Sequence, residues 1–170
     1  RYHNTRVLRA LLCQSISTAD TVVTDISVTI GIIEWIRKNS HRGLVLALHG
    51  CPSESATADI FRNGFKVGPR GKGGFGVYGT TRCDEAMYYA VDPGKTADPN
   101  SFCLVGFIGV TGINPGRGPK VDSAGKPLVV DKGKPHLYGN NNLMHGVFHP
   151  DDTKVAFTSV SYTHLTLPTS

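Results

Sequence analysis

No apolar run in this 170-residue chain approaches the roughly 20 residues that a membrane span requires, and no basic stretch leads into an apolar one as in a leader. A membrane role is therefore not expected. Nor is there a run of five basic residues: the 18 Lys and Arg against 13 Asp and Glu are scattered, and the net charge of +5 permits weak attraction to nucleic acid or other anions without marking a site. The four cysteines, Cys13, Cys51, Cys83 and Cys103, form no C-x-x-C pair, which argues against a zinc knuckle and suits free thiols in a reducing compartment. An intracellular location, cytoplasmic or nuclear, is the expectation. Glutamate is scarce, standing only at positions 34, 54 and 85. What is present, 39% hydrophobic residues and a mean hydropathy near −0.13, suffices for the core of one soluble domain. The first residue is Arg, so a fragment of a longer chain is expected.

Taken in order, Val7–Leu12 is compatible with a short helix within an N-terminal segment, residues 1–20, that carries no chemistry. From Val22 the apolar residues alternate: Ile26, Val28, Ile30 and Ile32 predict a half-buried strand, running into Glu34–Asn39. Leu44–Leu48 predicts a buried strand that stops at His49-Gly50, leaving His49 at the strand's end and off its face. A helix over 52–61 follows, with Ser53 as N-cap, Ile60 and Phe61 as buried face and Asn63-Gly64 as terminator. Beyond a Gly-rich loop, a strand resumes at Val77-Tyr78, and a second helix starts near Asp84-Glu85, acidic as a helix N-terminus favours. Phe102–Val110 is apolar on both faces and predicts a central strand. Residues 112–142 form a long Gly- and Pro-rich loop with a brief strand at Leu128–Val130. A strand over Leu143–Phe148, a turn at His149–Asp152 and alternation over Val155–Val160 predict a closing hairpin. Ser161–Ser170 reads as translated adapter sequence, so the domain is placed at residues 21–160, with the native chain expected to end near Val160.

Four pieces stand in order within Leu44–Tyr89: Leu48-His49-Gly50; Ile60-Phe61-Arg62-Asn63-Gly64-Phe65; Gly73-x-x-Gly76-Val77-Tyr78; and Tyr89, eleven residues after Tyr78. Together they resemble the NAD-binding half of the poly(ADP-ribose) polymerase-like ADP-ribosyltransferases. Glu34–Asn39 is similar to the I-x-x-I-x-N segment of that family, although only Ser40–Gly43 separate it from the His-Gly strand, where the family inserts a helix. The resemblance implies an α+β fold, a split pair of antiparallel β-sheets with short flanking helices and NAD, the substrate, in the cleft between them.

By the same resemblance His49 would donate to the adenosine ribose and hold the dinucleotide bent, and Gly50 would offer its backbone to the nicotinamide carboxamide. Tyr89 would stack on the nicotinamide ring and Tyr78 would face it from the strand, a pyridinium between two aromatic faces gaining about 1–2 kcal/mol when desolvated. Lys66 would lie near the adenosine, and Cys51 and Gly64 complete the cofactor-binding set. Two positions depart from the family. Ala86 stands where a Ser hydroxyl binds the carboxamide, costing about 0.5–1.5 kcal/mol for one lost hydrogen bond. Met144 stands at the catalytic position that a Glu occupies in polymerising members. No other glutamate is available in that strand, so chain elongation is disfavoured. Transfer of a single ADP-ribosyl group to a protein acceptor, or to a nucleic acid, is the implied reaction; a catalytically silent NAD- or ADP-ribose-binding module is the alternative.

Other motifs carry less. Gly71–Val77 matches G-x-G-x-x-G, but a strand follows where a dinucleotide-binding turn needs a helix, and no V-A-I-K or H-R-D accompanies it as a kinase would require. His145 and His149 stand four apart in a strand-and-turn context that does not converge on a metal, and no metal is expected. Cys51, two residues from His49, is expected to diverge from it where the strand ends, and no third orienting group for nucleophilic catalysis is apparent. A tRNA 2′-phosphotransferase would want an Arg and His phosphate cluster that the sequence does not display.

Overall fold

Two long apolar strands, β1 (Leu44–Cys51) and β3 (Phe102–Val110), pair antiparallel without a break from Leu44 opposite Val110 to Cys51 opposite Cys103. They are the middle of a computed structural model that describes residues 26–68, 71, 73–90, 102–138 and 145–161. The remaining elements are α1 (Ile26–Asn39), a 3₁₀ turn (Ser40–Arg42), α2 (Glu54–Asn63), β2 (Val77–Thr80), α3 (Cys83–Ala90), β4 (Gly116–Arg117), β5 (His136–Tyr138), β6 (His145–Phe148), a second 3₁₀ turn (Pro150–Asp152) and β7 (Thr153–Ser161). The class is α+β. The expected short helix at Val7–Leu12, the position of Met144 and the residues after Ser161 lie outside the described residues.

The strands join in the order β4-β5-β6-β2-β1-β3-β7. Two separate antiparallel sheets were expected; one connected sheet is observed, antiparallel except for the parallel β4–β5 edge. β1 and β2 are joined by the single registered pair Leu48 and Thr80, whereas β1–β3 and β2–β6 pair along their whole shared length. The sheet also curls. A Cβ on Gly109 of β3 would lie 2.7 Å from the ring of Phe148 on β6, three strands away, so the face carrying Ala47, Val77, Phe107 and Phe148 is concave and closes on itself. The closing hairpin expected at Val147–Val160 is not formed for the same reason: the 3₁₀ turn carries the chain from β6 to the far edge beside β3.

Alternation along β1 sorts the core. Ala47 and Val45 join the concave cluster with Phe65, while Leu44, Leu46 and Leu48 face the opposite side, where α1 and α3 pack. α1 is the largest departure from the sequence reading. Its first residues alternate and are β-branched, but the helix that forms buries Ile32 and Ile36, with Trp35 and Asn39 on the same side, a spacing of three, four and seven. Burying those two isoleucines against Leu44, Ile108 and Val110 contributes about 1.5–3 kcal/mol each, enough to override a β-propensity that is itself contextual.

α2 follows expectation at both ends. Ser53 is extended and its Oγ accepts from the Ala56 N–H at 3.2 Å, and Gly64 closes the helix at φ +75°, with its N–H on the Ile60 carbonyl. Its buried residue is Thr57; Phe61, expected inside, is exposed. The turn before β7 is tied down by Asp152, fully buried, whose carboxylate accepts from Arg42 Nη2 at 2.8 Å and from the Gly133 N–H. Arg42 Nη1 donates in turn to Asn39 Oδ1, so the end of α1, the loop at Gly133 and the start of β7 are held at one point. In place of the single brief strand expected between 112 and 142, β4 and β5 form, and Val129 makes only an isolated bridge to Phe75.

Candidate functional site

β1 does not stop at His49. It continues to Cys51, with His49 opposite Val105, so the imidazole projects from a strand face, the concave one. There it meets the Phe65 ring edge-on at 5.2 Å, and Phe65 in turn meets Phe107 at 5.0 Å. His49 Nδ1 lies 2.8 Å from the Tyr78 carbonyl oxygen across the narrow β1–β2 junction. A carbonyl only accepts, so Nδ1 carries the proton and Nε2 holds the free lone pair. Burial lowers the His49 pKa below its usual value, an effect partly offset by the bond to Tyr78, and keeps the ring neutral. With this tautomer Nε2 offers an acceptor, where the resemblance implies a donor to a ribose.

Beside His49 lies an open cavity of about 280 Å³, lined by His49, Asp59, Gly64, Lys66, Val77 and Tyr78 among others. Four of the nominated residues, His49, Gly64, Lys66 and Tyr78, thus share one hollow. Lys66 Nζ is 3.2 Å from Asp59 Oδ2, an exposed pair, and Asp59 also accepts from Asn63. The Asn63 hydrogen bond, then Lys66 and the nearby Arg62, hold the Asp59 carboxyl below its usual pKa, so the cavity lining carries a cation with its counterion.

Gly50, Cys51, Ala86 and Tyr89 do not line this cavity. Gly50 faces the other side of the sheet, where α3 crosses it so closely that a Cβ would lie 2.1 Å from the Ala86 carbonyl oxygen and 2.6 Å from the Ala90 nitrogen. Helix packing, rather than ligand approach, accounts for glycine here. Cys51 is fully buried; burial pushes its thiol pKa up, and Thr57 bonds it. Ala86 is buried against Ala90 and Leu104, so a Ser in its place would bury its hydroxyl in the helix–sheet interface. Tyr88 and Tyr89 stand out from α3, 76% and 64% exposed, with their rings edge-to-face.

Tyr78 connects the two sides. It lines the cavity, but its hydroxyl is committed: it donates to the Gly74 carbonyl at 2.7 Å and accepts from the Gly73 N–H at 2.9 Å. The Gly-rich loop is therefore a clamp on a tyrosine, with a β-strand after it as the sequence indicated. Burial raises the Tyr78 pKa, so the clamp stays protonated at neutral pH.

A second group of polar residues, which the sequence reading did not assemble, stands on the convex face with α3. Glu85 of α3 accepts from Thr80 Oγ1 at 3.1 Å and lies 3.0 Å from His145 Nδ1. Tyr138 stacks on His145, rings 5.7 Å apart and 11° from parallel. Burial, with Tyr78, Tyr89 and Glu85 nearby, pushes the Tyr138 pKa up to about 12. No spacing rule joins residues 80, 85, 138 and 145: the β2–β6 and β5–β6 registers bring 80, 138 and 145 together, and α3 adds Glu85. His149 is elsewhere, its Nδ1 accepting from the Asp151 N–H.

Among the described residues no group of three His, Cys, Asp or Glu is placed to hold a metal, and no helix is long and apolar enough to cross a membrane. Compared with known proteins, the chain matches no protein-family model and no curated protein.

Proposed function

We propose that this domain binds NAD across the β1–β2 junction and transfers a single ADP-ribosyl group to an acceptor, releasing nicotinamide. The observation that carries the reading is the His49–Tyr78 bridge: a neutral, accepting imidazole beside a cavity exactly where the sheet is joined by one residue pair. Among the described residues β1 and β2 share only the Leu48–Thr80 pair in register, so the junction beside His49 is the place where the sheet is least tightly joined. A ribose hydroxyl would donate to His49 Nε2, and Lys66 at the rim would meet pyrophosphate charge. At about 280 Å³ the hollow is near the lower end of small-molecule sites, roughly 300–1,000 Å³, so it takes one half of the dinucleotide. The nicotinamide half would extend past the junction toward Tyr89, whose ring is exposed beside that of Tyr88. Bond cleavage passes through an oxocarbenium-like centre that bound geometry must orient, with a protein side chain or a nucleic acid as acceptor.

The alternative, a silent NAD- or ADP-ribose-binding module, is favoured by two observations: the committed hydroxyl of Tyr78 and the burial of Ala86 at the place of a carboxamide-binding Ser. Incubation with NAD labelled in the nicotinamide ring separates them. Release of labelled nicotinamide supports transfer; saturable binding without release supports the module; neither binding nor release overturns both.

A further inference from the structure

We infer that His145, oriented by Glu85, is the general base of this site, deprotonating the acceptor nucleophile that attacks the NAD ribose. The inference rests on the NAD-transfer reading above. His145 projects from β6 on the face that carries Tyr78, because Thr80 stands opposite His145 and Tyr78 opposite Val147. Its Nδ1 lies 3.0 Å from Glu85 Oε1, so Nδ1–H donates to the carboxylate and Nε2 is the ring nitrogen left to take a proton, as a base requires. Both partners are about a quarter exposed, within reach of solvent and of an acceptor. The carboxylate is itself fixed: its other oxygen accepts from Thr80 Oγ1, which accepts from the Arg82 N–H at 3.1 Å. Tyr138 lies flat on the imidazole and sets its plane.

The group is contiguous with the junction. A Cβ on Gly73 would be 3.2 Å from the Tyr138 hydroxyl and 3.3 Å from that of Tyr78, so both phenols converge on the Gly loop that clamps Tyr78. The described titratable groups around His145 are Glu85 from α3 and Tyr138 from β5. Arg82, which Glu85 also influences, is already paired with Asp84. Thr80 and Tyr78 are the facing residues of β2.

A carboxylate is thus delivered to β6 from α3, by way of an imidazole, in a chain whose glutamates all precede that strand. In the step, the acceptor oxygen forms a bond to the ribose C1′ and its proton passes to His145 Nε2. The C1′–N bond breaks, and nicotinamide leaves with the bonding pair, which neutralises its ring charge. Glu85 is a positioning residue; His145 touches the nucleophile.

The test uses water as acceptor and measures nicotinamide release, NAD affinity and melting temperature in the whole chain for wild type, His145→Asn and Glu85→Gln. Asparagine places its amide N–H near the position of Nδ1–H and keeps the bond to Glu85, but offers no base. Expected for H145N are a wild-type melting temperature, NAD affinity within about threefold, and a kcat lower by about 100-fold or more, with the acid limb of the wild-type pH profile abolished. E85Q should lower kcat less than H145N does, because the imidazole remains but is no longer held by a carboxylate. Wild-type kcat and pH limb in H145N overturn the base and leave NAD transfer standing, as does a kcat loss that only follows a fall in stability or affinity. Absence of NAD turnover by the wild type overturns both.

Discussion

Replacing Gly50 by Ala separates two explanations for a glycine beside the candidate ligand site. A methyl at this position would lie 2.1 Å from the Ala86 carbonyl oxygen, 2.6 Å from the Ala90 nitrogen and 2.8 Å from the Tyr89 carbonyl carbon. All three are backbone atoms of one helix and cannot rotate aside, so α3 must lift by roughly 1 Å to restore ordinary contact. Overpacking of this kind costs about 1–3 kcal/mol, and with three close contacts the upper part of that range applies. For a chain of this size the melting temperature should fall by about 3–10 °C. The displaced helix carries Glu85 and Tyr89, so NAD binding should weaken together with stability. Circular dichroism melts and NAD titrations of the same preparation read both. A G50A protein with unchanged melting temperature and abolished NAD binding would refute the packing argument and return Gly50 to the role of ligand contact.

Three other perturbations test the framework. Asp152→Ala removes a buried carboxylate from Arg42 and the Gly133 N–H and should cost about 3 kcal/mol in urea unfolding; a loss below about 1 kcal/mol would mean the three segments are held otherwise. Ser53→Ala removes the cap of α2 and should cost about 1 kcal/mol, with little effect on NAD affinity; an unchanged midpoint contradicts the capping role. His49 resists protonation when folded, whereas the unfolded chain takes up a proton near its usual pKa of about 6.5, so its contribution is constant above that pH and stability falls as pH drops below it. Melts of wild type and His49→Gln between pH 8 and pH 5 should therefore diverge only at the acid end; parallel curves would show that the folded ring protonates normally.

Local signals in the sequence were reliable where local chemistry decides the outcome. Ser53 and Gly64 bracket α2 because a hydroxyl cap and a left-handed glycine act within one turn, and the bounds of β3 follow from an apolar stretch buried on both faces. Ile26–Ile32 was misread because both periods fit seven residues, and the choice was made by tertiary contacts of Ile32 and Ile36. His49 and Tyr78 were legible as candidates from their glycine-flanked motifs, and they do meet. The path taken by Gly50, the burial of Ala86 and the union of Glu85 with His145 were not legible, because each depends on which sheet face a residue takes and on which strand lies beside it. A hairpin at 147–160 looked sound for the same local reasons and failed because a curled sheet brings distant edges within reach of a four-residue turn.

The most direct measurement is a calorimetric titration of NAD into the wild-type chain and His49→Ala at pH 7.5, with both proteins shown to melt alike. Saturable binding by the wild type, weakened at least about tenfold in H49A by loss of a buried acceptor, is the expected result. No binding by the wild type, or equal affinity in the two, would contradict a nucleotide site at the β1–β2 junction.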